Sequence, residues 1–231
     1  MLEVYALQVP NEMSLQTFSK LLSYVSVDKQ LRIKRFNTKK DAYRTLLADI
    51  LIRLIISDKY ELPFQEITFM YNSHGKPFLS LDRGLSFNIS HSGKWVVAIV
   101  GKRHLVGIDI EEIRPIEMEV ARRFFAPEEY SDLKEKDERE RLLFFYDLWT
   151  LKESYVKAIG RGLTIPLDSF VIQRKDLFGQ FVIRQKHSPH NFFFQQYDID
   201  KEYKLSACAT TDTFPESISI LNISEMYNRL L

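Results

Sequence analysis

Apolar positions recur along this chain with two different periods, and the switches between them mark out its elements. Met1 to Leu7 alternates, as a half-buried strand does. Ser14 to Tyr24 then sets Leu15, Phe18, Leu21 and Leu22 at helical spacing behind a serine that can cap the first turn. A second helix starts at Ser26-Val27-Asp28-Lys29. A long third one, Asp41 to Asp58, carries Leu46, Leu47, Ile50, Leu51, Leu54 and Ile55 on a buried side. Strand-like runs follow at Ile67 to Tyr71, Leu85 to Ile89 and Trp95 to Val100, separated by turns at Asn72-Ser73-His74-Gly75 and Ser90-His91-Ser92-Gly93. The first of these turns puts Lys76 and Pro77 at a sharp, exposed corner.

The second half repeats the plan. Leu105 to Ile110 reads as a strand, Glu117 to Phe125 and Pro127 to Lys136 as a helix pair, and Arg141 to Ile159 as a long helix stopped by Gly160 and Gly162. Strands are expected near Phe170 to Gln173, Gln180 to Arg184, Phe192 to Tyr197, Tyr203 to Ala209 and Ser217 to Ile220. In both halves helices precede a run of strands. That order predicts an α+β fold of two similar lobes, residues 1–104 and 105–231, and argues against the strict alternation of a parallel sheet.

Composition narrows the class. A single cysteine, Cys208, excludes an internal disulfide and suits a reducing, cytoplasmic setting; in the apolar run Leu205-Ser206-Ala207-Cys208-Ala209 it reads as a small core residue. The N-terminal stretch has an acid where a signal peptide wants bases, and no apolar run is long enough for a membrane span. Net charge is only +1, which argues against a bulk nucleic-acid binder. The charge is unevenly spread, however, with seven basic and two acidic residues from Asp28 to Arg44, and twelve acidic and six basic from Asp109 to Glu140. A polyphosphate pocket beside a metal site divides charge in this way, and so do solvated helix faces.

The candidate chemistry lies in two segments. In an extended strand Val106, Ile108 and Ile110 point into a core while Gly107, Asp109 and Glu111 share the other face, so two carboxylates sit side by side. In the long helix Leu148, Leu151, Tyr155 and Ile159 form an apolar stripe, and Trp149, Glu153 and Lys157 lie along an adjoining line at steps of four. Singly, these are ordinary surface patterns. Three acids brought together repel unless a cation sits among them, and hard oxygen ligands suit Mg²⁺.

Val106-Gly107-Ile108-Asp109, followed further on by Trp149-Thr150-Leu151-Lys152-Glu153-Ser154-Tyr155-Val156-Lys157, resembles the signature of the 4'-phosphopantetheinyl transferase superfamily. The likeness extends over nearly the whole chain, through Gly75-Lys76-Pro77 and Phe87-Asn88-Ile89-Ser90-His91-Ser92, and points to the surfactin-synthetase-activating branch. It implies a pseudo-twofold, two-lobed fold whose first lobe contacts coenzyme A and whose second bears the Mg²⁺ site and the catalytic helix. The implied reaction moves the phosphopantetheine arm of coenzyme A to a serine of apo carrier proteins, or of carrier domains of peptide, polyketide or fatty acid synthases, and releases adenosine 3',5'-bisphosphate. Size makes a monomer the default.

On this resemblance Asp109, Glu111 and Glu153 hold Mg²⁺, and either Glu153 or a metal-activated water takes the serine proton. Lys157 meets the leaving phosphate, and Lys152 assists it or only supports the helix surface. Lys29, Arg32, Arg44, Lys76, Pro77, Ser90 and His91 stand where the family binds the phosphates and adenosine of coenzyme A, with Arg44 and His91 on the ribose phosphate. Lys34, Arg35, Lys39 and Lys40 face solvent. Within Ile113 to Tyr130, the residues Ile116, Met118, Phe124 and Phe125 present apolar surface to a carrier helix or pack between lobes. Two rival classes stay open: a Mg²⁺-dependent phosphohydrolase with water as acceptor, and a non-catalytic binder of nucleic acid or carrier protein that uses Asp28 to Arg44.

Overall fold

A computed structural model, describing residues 1–81, 84–175, 181–185 and 189–230, contains the same series of elements twice. The first lobe runs β1 (Glu3–Gln8), α1 (Leu15–Leu22), α2 (Val27–Lys34), α3 (Lys39–Tyr60), a hairpin of β2 (Phe69–Tyr71) and β3 (Pro77–Leu79), and the pair β4 (Leu85–Ser92) and β5 (Trp95–Lys102). The second runs β6 (Val106–Glu112), α4 (Met118–Phe124), α5 (Pro127–Lys134), α6 (Glu138–Ile159), a hairpin of β7 (Val171–Arg174) and β8 (Phe181–Arg184), and the pair β9 (Phe193–Tyr197) and β10 (Tyr203–Ala209). The strand orders match as well, β1-β5-β4 in one sheet and β6-β10-β9 in the other, antiparallel throughout these sets. This is the expected α+β, pseudo-twofold architecture.

Local chemistry sets the helix starts. Ser14, Ser26, Thr38 and Asp137 each accept a backbone N–H of the first turn behind them. The two long helices, α3 and α6, both begin earlier than apolar spacing predicts because their first turns are polar and are held by these caps. At the other end of α6, Gly160 adopts φ +77 and donates its N–H to Val156 O at 2.9 Å, the left-handed stop that glycine takes most readily.

Three cores result. α3 covers β4 and β5, α6 covers β6 and β10, and the two sheets meet face to face through Leu2, Val4, Ala6, Val97 and Ile99 against Val106, Ile108, Ile110, Leu205 and Ala207. Val106, Ile108 and Ile110 are wholly buried, as their alternation predicts, each contributing about 1.5–3 kcal/mol. Cys208, on β10 beside Gly107 of β6, is buried in the core under α6, where burial pushes its thiol pKa well up, in line with a core role.

The strands and the C-terminal segment depart from the sequence reading in three further places. Ser90 and His91 are not turn residues but strand residues of β4, paired with Val97 and Val96; the turn is Gly93-Lys94. Gly93 has φ +51, and a Cβ there would fall 2.0 Å from the Tyr203 hydroxyl, which accepts the Lys94 N–H at 3.0 Å. β3 was not anticipated. β11 (Ser219–Leu221) and α7 (Ile223–Leu230) leave the second lobe: β11 pairs in parallel with β1, Tyr5 opposite Ser219, and Met226 and Leu230 enter the first lobe's core. Of the expected strand from Gln180, Phe181 onward is observed, and Gln180 lies outside the described residues. No helix among the described residues is long and apolar enough to cross a membrane.

Candidate active site

The close approach of β6 and α6 builds the site. A Cβ at Gly107 would lie 2.0 Å from Ser154 O and 2.4 Å from Ala158 N, so only glycine lets strand and helix touch here. Two residues on, Asp109 faces the helix and is 2 % exposed. Its Oδ1 accepts from Lys157 Nζ at 2.6 Å and from Ser90 Oγ at 3.0 Å, while Lys157 Nζ also donates to Ser90 Oγ at 2.9 Å. The next outward residue on that face, Glu111, accepts from Ser92 Oγ at 2.9 Å. β6 is the edge of its sheet, and side chains of β4 take its spare N–H groups: Ile108 N donates to Asn88 Oδ1 at 2.9 Å and Glu112 N to Ser92 Oγ at 3.1 Å. The two lobes are thus joined along the site itself.

Electrostatics link the three acids. Burial pushes the Asp109 carboxyl up, while Lys157 and Ser90 pull against the shift. Glu111 is pushed up to about 7, first by burial and then by the charge of Asp109, with Glu153 adding to it. Glu153 rises for the same reasons, burial first and Asp109 second. Asp109 Oδ2 is buried and has no hydrogen-bond partner, an orphaned acceptor of the kind a cation satisfies. In kind, these hard oxygens fit a divalent ion. They are not preassembled around one: among the described residues no three His, Cys, Asp or Glu side chains stand in metal-holding geometry. The Lys157 ammonium already lies against Asp109 Oδ1.

A cationic group adjoins the acids across the lobe boundary. His91, on the α3 side of β4, is lowered first by burial and then by Arg44, Lys157 and Lys29. Arg44 donates to Gly93 O at 2.8 Å and pairs with Asp41. Lys29 lies 3.8 Å from Asp49; burial lowers its pKa, Asp49 raises it, and Arg32 and Arg53 lower it further. Arg32 and Lys34 on α2 are exposed, as is Arg35 just after it; Lys39 and Lys40 at the start of α3 are exposed too.

Three expected site residues point elsewhere. Lys152 is fully buried, donating to Leu167 O and Phe170 O at 2.7 Å each and pairing with Glu129 at 2.7 Å. It therefore has no route to a phosphate and supports the helix instead. Its place four residues after Leu148 and three before Tyr155 puts it inside the apolar stripe, a signal that was legible in the sequence. Lys76 leaves its turn inward, with its ammonium on backbone carbonyls, and Pro77 opens β3 opposite Tyr71. Of the apolar surface, Phe125 is core, 2 % exposed and packed on Phe145, because the chain turns inward between α4 and α5. Ile116, Met118 and Phe124 stay half-buried, Phe124 lying edge-on to Trp149.

The family model described as "4'-phosphopantetheinyl transferase superfamily" matches residues 105–208, and that described as "4'-phosphopantetheinyl transferase, N-terminal" matches residues 12–103. The chain is 39% identical to 4'-phosphopantetheinyl transferase Sfp of Bacillus subtilis (strain 168), covering 97% of this chain and 100% of that protein. It is 38% identical to 4'-phosphopantetheinyl transferase gsp of Aneurinibacillus migulanus, covering 100% and 96%. The chain belongs to the 4'-phosphopantetheinyl transferase superfamily. Its relatives put this transferase on the Sfp-type branch and in an enzyme class. Among solved structures, a holo-(acyl-carrier-protein) synthase from Bacillus anthracis in complex with coenzyme A is 21% identical, covers 45% of this chain and 92% of that one, and gives a TM-score of 0.39.

Two side chains that hold the transferase's site together were not singled out in the sequence, Asn88 and Ser92. With Ser90 between them they make a polar line at every second residue of β4, and that period marks one face of a strand.

Proposed function

We propose that this transferase takes the 4'-phosphopantetheine arm from coenzyme A and passes it to the serine hydroxyl of an apo carrier protein or carrier domain, leaving adenosine 3',5'-bisphosphate. The observation that carries the reading is the buried Asp109 carboxylate, one oxygen held by Lys157 and Ser90 and the other unpartnered, with Glu111 and Glu153 beside it and cations across the lobe boundary. Asp109, Glu111 and Glu153 are the residues that would hold Mg²⁺. When bound, the ion would neutralise charge on the pyrophosphate of coenzyme A.

The chain's own groups carry the rest of the reaction. Glu153, whose carboxyl is a stronger proton acceptor than a free glutamate because burial and Asp109 push it up, takes the serine proton as the serine oxygen attacks phosphorus. The phosphorus–oxygen bond to the adenosine bisphosphate breaks, and Lys157, in reach of Asp109 and Ser90, neutralises the departing phosphate. Arg44 and His91 meet the ribose phosphate, with Lys29 and Arg32 behind them. The first lobe then serves the nucleotide and the second the metal and the helix, and both come from one chain, so a monomer suffices.

For the carrier we propose the rim formed by Ile116, Met118 and Phe124. Alanine at Met118 and at Phe124 should raise KM for the carrier about three- to tenfold, a loss of roughly 1 kcal/mol, with KM for coenzyme A unchanged. An unaltered carrier KM removes this surface.

The decisive assay weighs an apo carrier intact after incubation with the protein, coenzyme A and Mg²⁺. A serine-linked gain of one phosphopantetheine is the expected result. Phosphate release with no gain in carrier mass would select the hydrolase instead.

A further inference from the structure

Lys76 belongs to the first lobe, yet its ammonium is bonded entirely to the second. Nζ donates to Val106 O at 3.0 Å, Lys157 O at 2.6 Å and Ala158 O at 3.1 Å. The first acceptor opens β6, the strand of Asp109 and Glu111. The other two end α6, the helix of Glu153 and Lys157. Last-turn carbonyls have no donors within their own helix, and the negative end of the helix dipole favours a cation. An ammonium has three hydrogens, and all three are used.

Independent contacts support the same junction. Asn72 donates through Nδ2 to Gly160 O at 2.7 Å, and its Oδ1 accepts from the backbone N–H of Lys76 and of His74, both at 2.9 Å, which fixes the turn from which Lys76 departs. Gly160 leaves room for the stem: a Cβ there would fall 2.8 Å from Lys76 Cδ. Gly107 does the same one layer in, allowing β6 to lie against the helix.

We propose that Lys76 is a positioning residue, whose ammonium fixes the spacing of β6 and α6 and so aligns Asp109 and Glu111 with Glu153 and Lys157. Without it, three backbone carbonyls lose their donor, the last turn of α6 loosens, and Lys157, which lies in that turn, loses its line to Asp109 and Ser90. This role excludes a direct grip on a phosphate of coenzyme A, since no hydrogen of the ammonium is left to give.

The kinetic part of the test rests on the transferase reading above; the exchange part does not. In Lys76→Ala, kcat for carrier modification should fall at least about tenfold while KM for coenzyme A stays within about twofold. A tenfold rise in that KM with kcat intact would make Lys76 a phosphate contact and overturn the proposal. Hydrogen exchange should quicken together at residues 106–109 and 157–160, on opposite sides of the clamp. Quickening confined to residues 72–77 would also overturn it, whether or not the protein transfers phosphopantetheine. If Lys76→Ala does not fold, Asn72→Ala keeps the ammonium and loosens its base. The same pattern, smaller in size, is then expected, and a change in KM for coenzyme A alone would count against the clamp.

Discussion

The first strands of the two lobes are alike on one face and opposite in character on the other. Toward the partner sheet, β1 presents Val4 and Ala6, with Leu2 just before it, and β6 presents Val106, Ile108 and Ile110, all fully buried or nearly so. Toward its own long helix, β1 presents Glu3, Tyr5 and Leu7, the first paired with Lys59 and the others packed on the first core. β6 presents Gly107, Asp109 and Glu111 instead. Each long helix also has a buried ion pair. Asp49–Arg53 in α3 at 2.5 Å borders the cations at Lys29, whereas Lys152–Glu129 at 2.7 Å is sealed inside the second lobe. One architecture is thus used twice, with the proposed metal-holding acids set beneath one of its two long helices.

That contrast can be broken most directly at Glu153. Glu153→Gln should lower carrier modification by about 10²–10⁴-fold, the usual worth of a positioned proton acceptor. It should also erase the stabilisation by Mg²⁺, about 2.7 kcal/mol at a hundred times its dissociation constant. Thermal melts with and without Mg²⁺ read the second effect. Glu3→Gln, in the corresponding face of the first lobe, should leave transfer unchanged, and a fully active Glu153→Gln protein would mean the two faces do not differ in the way argued.

Lys152→Met tests the sealed pair. Glu129 would keep its bonds from Ala126 N and Ile172 N, at 2.9 Å each, but lose its counter-charge, and urea unfolding should show a loss of about 3–5 kcal/mol. The kcat of the protein that remains folded should be close to the parent's, because Lys152 touches no substrate. A collapse of kcat at full stability would restore Lys152 to the catalytic set.

Gly107→Ala sharpens the comparison at the backbone. The added methyl meets Ser154 O and Ala158 N, neither of which can swing aside, so α6 must back away from β6 at a cost of about 1–3 kcal/mol. Transfer should fall further than stability explains, since Lys157 moves with the helix. Equal losses in both would reduce Gly107 to a packing residue.

A further effect is in pH. Glu111 is raised from an ordinary 4.5 to about 7, so the folded state holds its proton more tightly than the unfolded one. The stability this gives is full below about 4.5 and is lost as pH rises through about 7, up to about 3 kcal/mol before solvent screening reduces it. Metal-free melts should show that decline, Glu111→Gln should flatten it, and Mg²⁺ should oppose it. A metal-free Tm that climbs across this range would contradict the placement of Glu111 beside Asp109.

Much of this was readable from the chain because it is local. Caps at Ser14 and Ser26, the stripe of α6, and the alternation of β6 depend on spacing within one element, and spacing is what a sequence displays. What stayed hidden depends on partners far along the chain. Lys76 reads as an exposed turn lysine until α6 is seen to end over it. α7 is short, and its burial depends on a core built by residues far upstream. The site was legible as a set of acids, yet its resting geometry was not, since the position of Lys157 on Asp109 follows from how two elements meet.

The return of β11 to β1 has a consequence for how the protein is made. β1 leaves the ribosome long before β11, its parallel neighbour, because the other strands of both lobes lie between them in the sequence. Until then one flank of β1 offers bare amides and carbonyls to any strand that passes, including those of other nascent copies. Messages truncated ahead of Ser219 should therefore yield protein prone to pellet, and a chaperone resting on the unfinished sheet would be needed longest at its oldest strand.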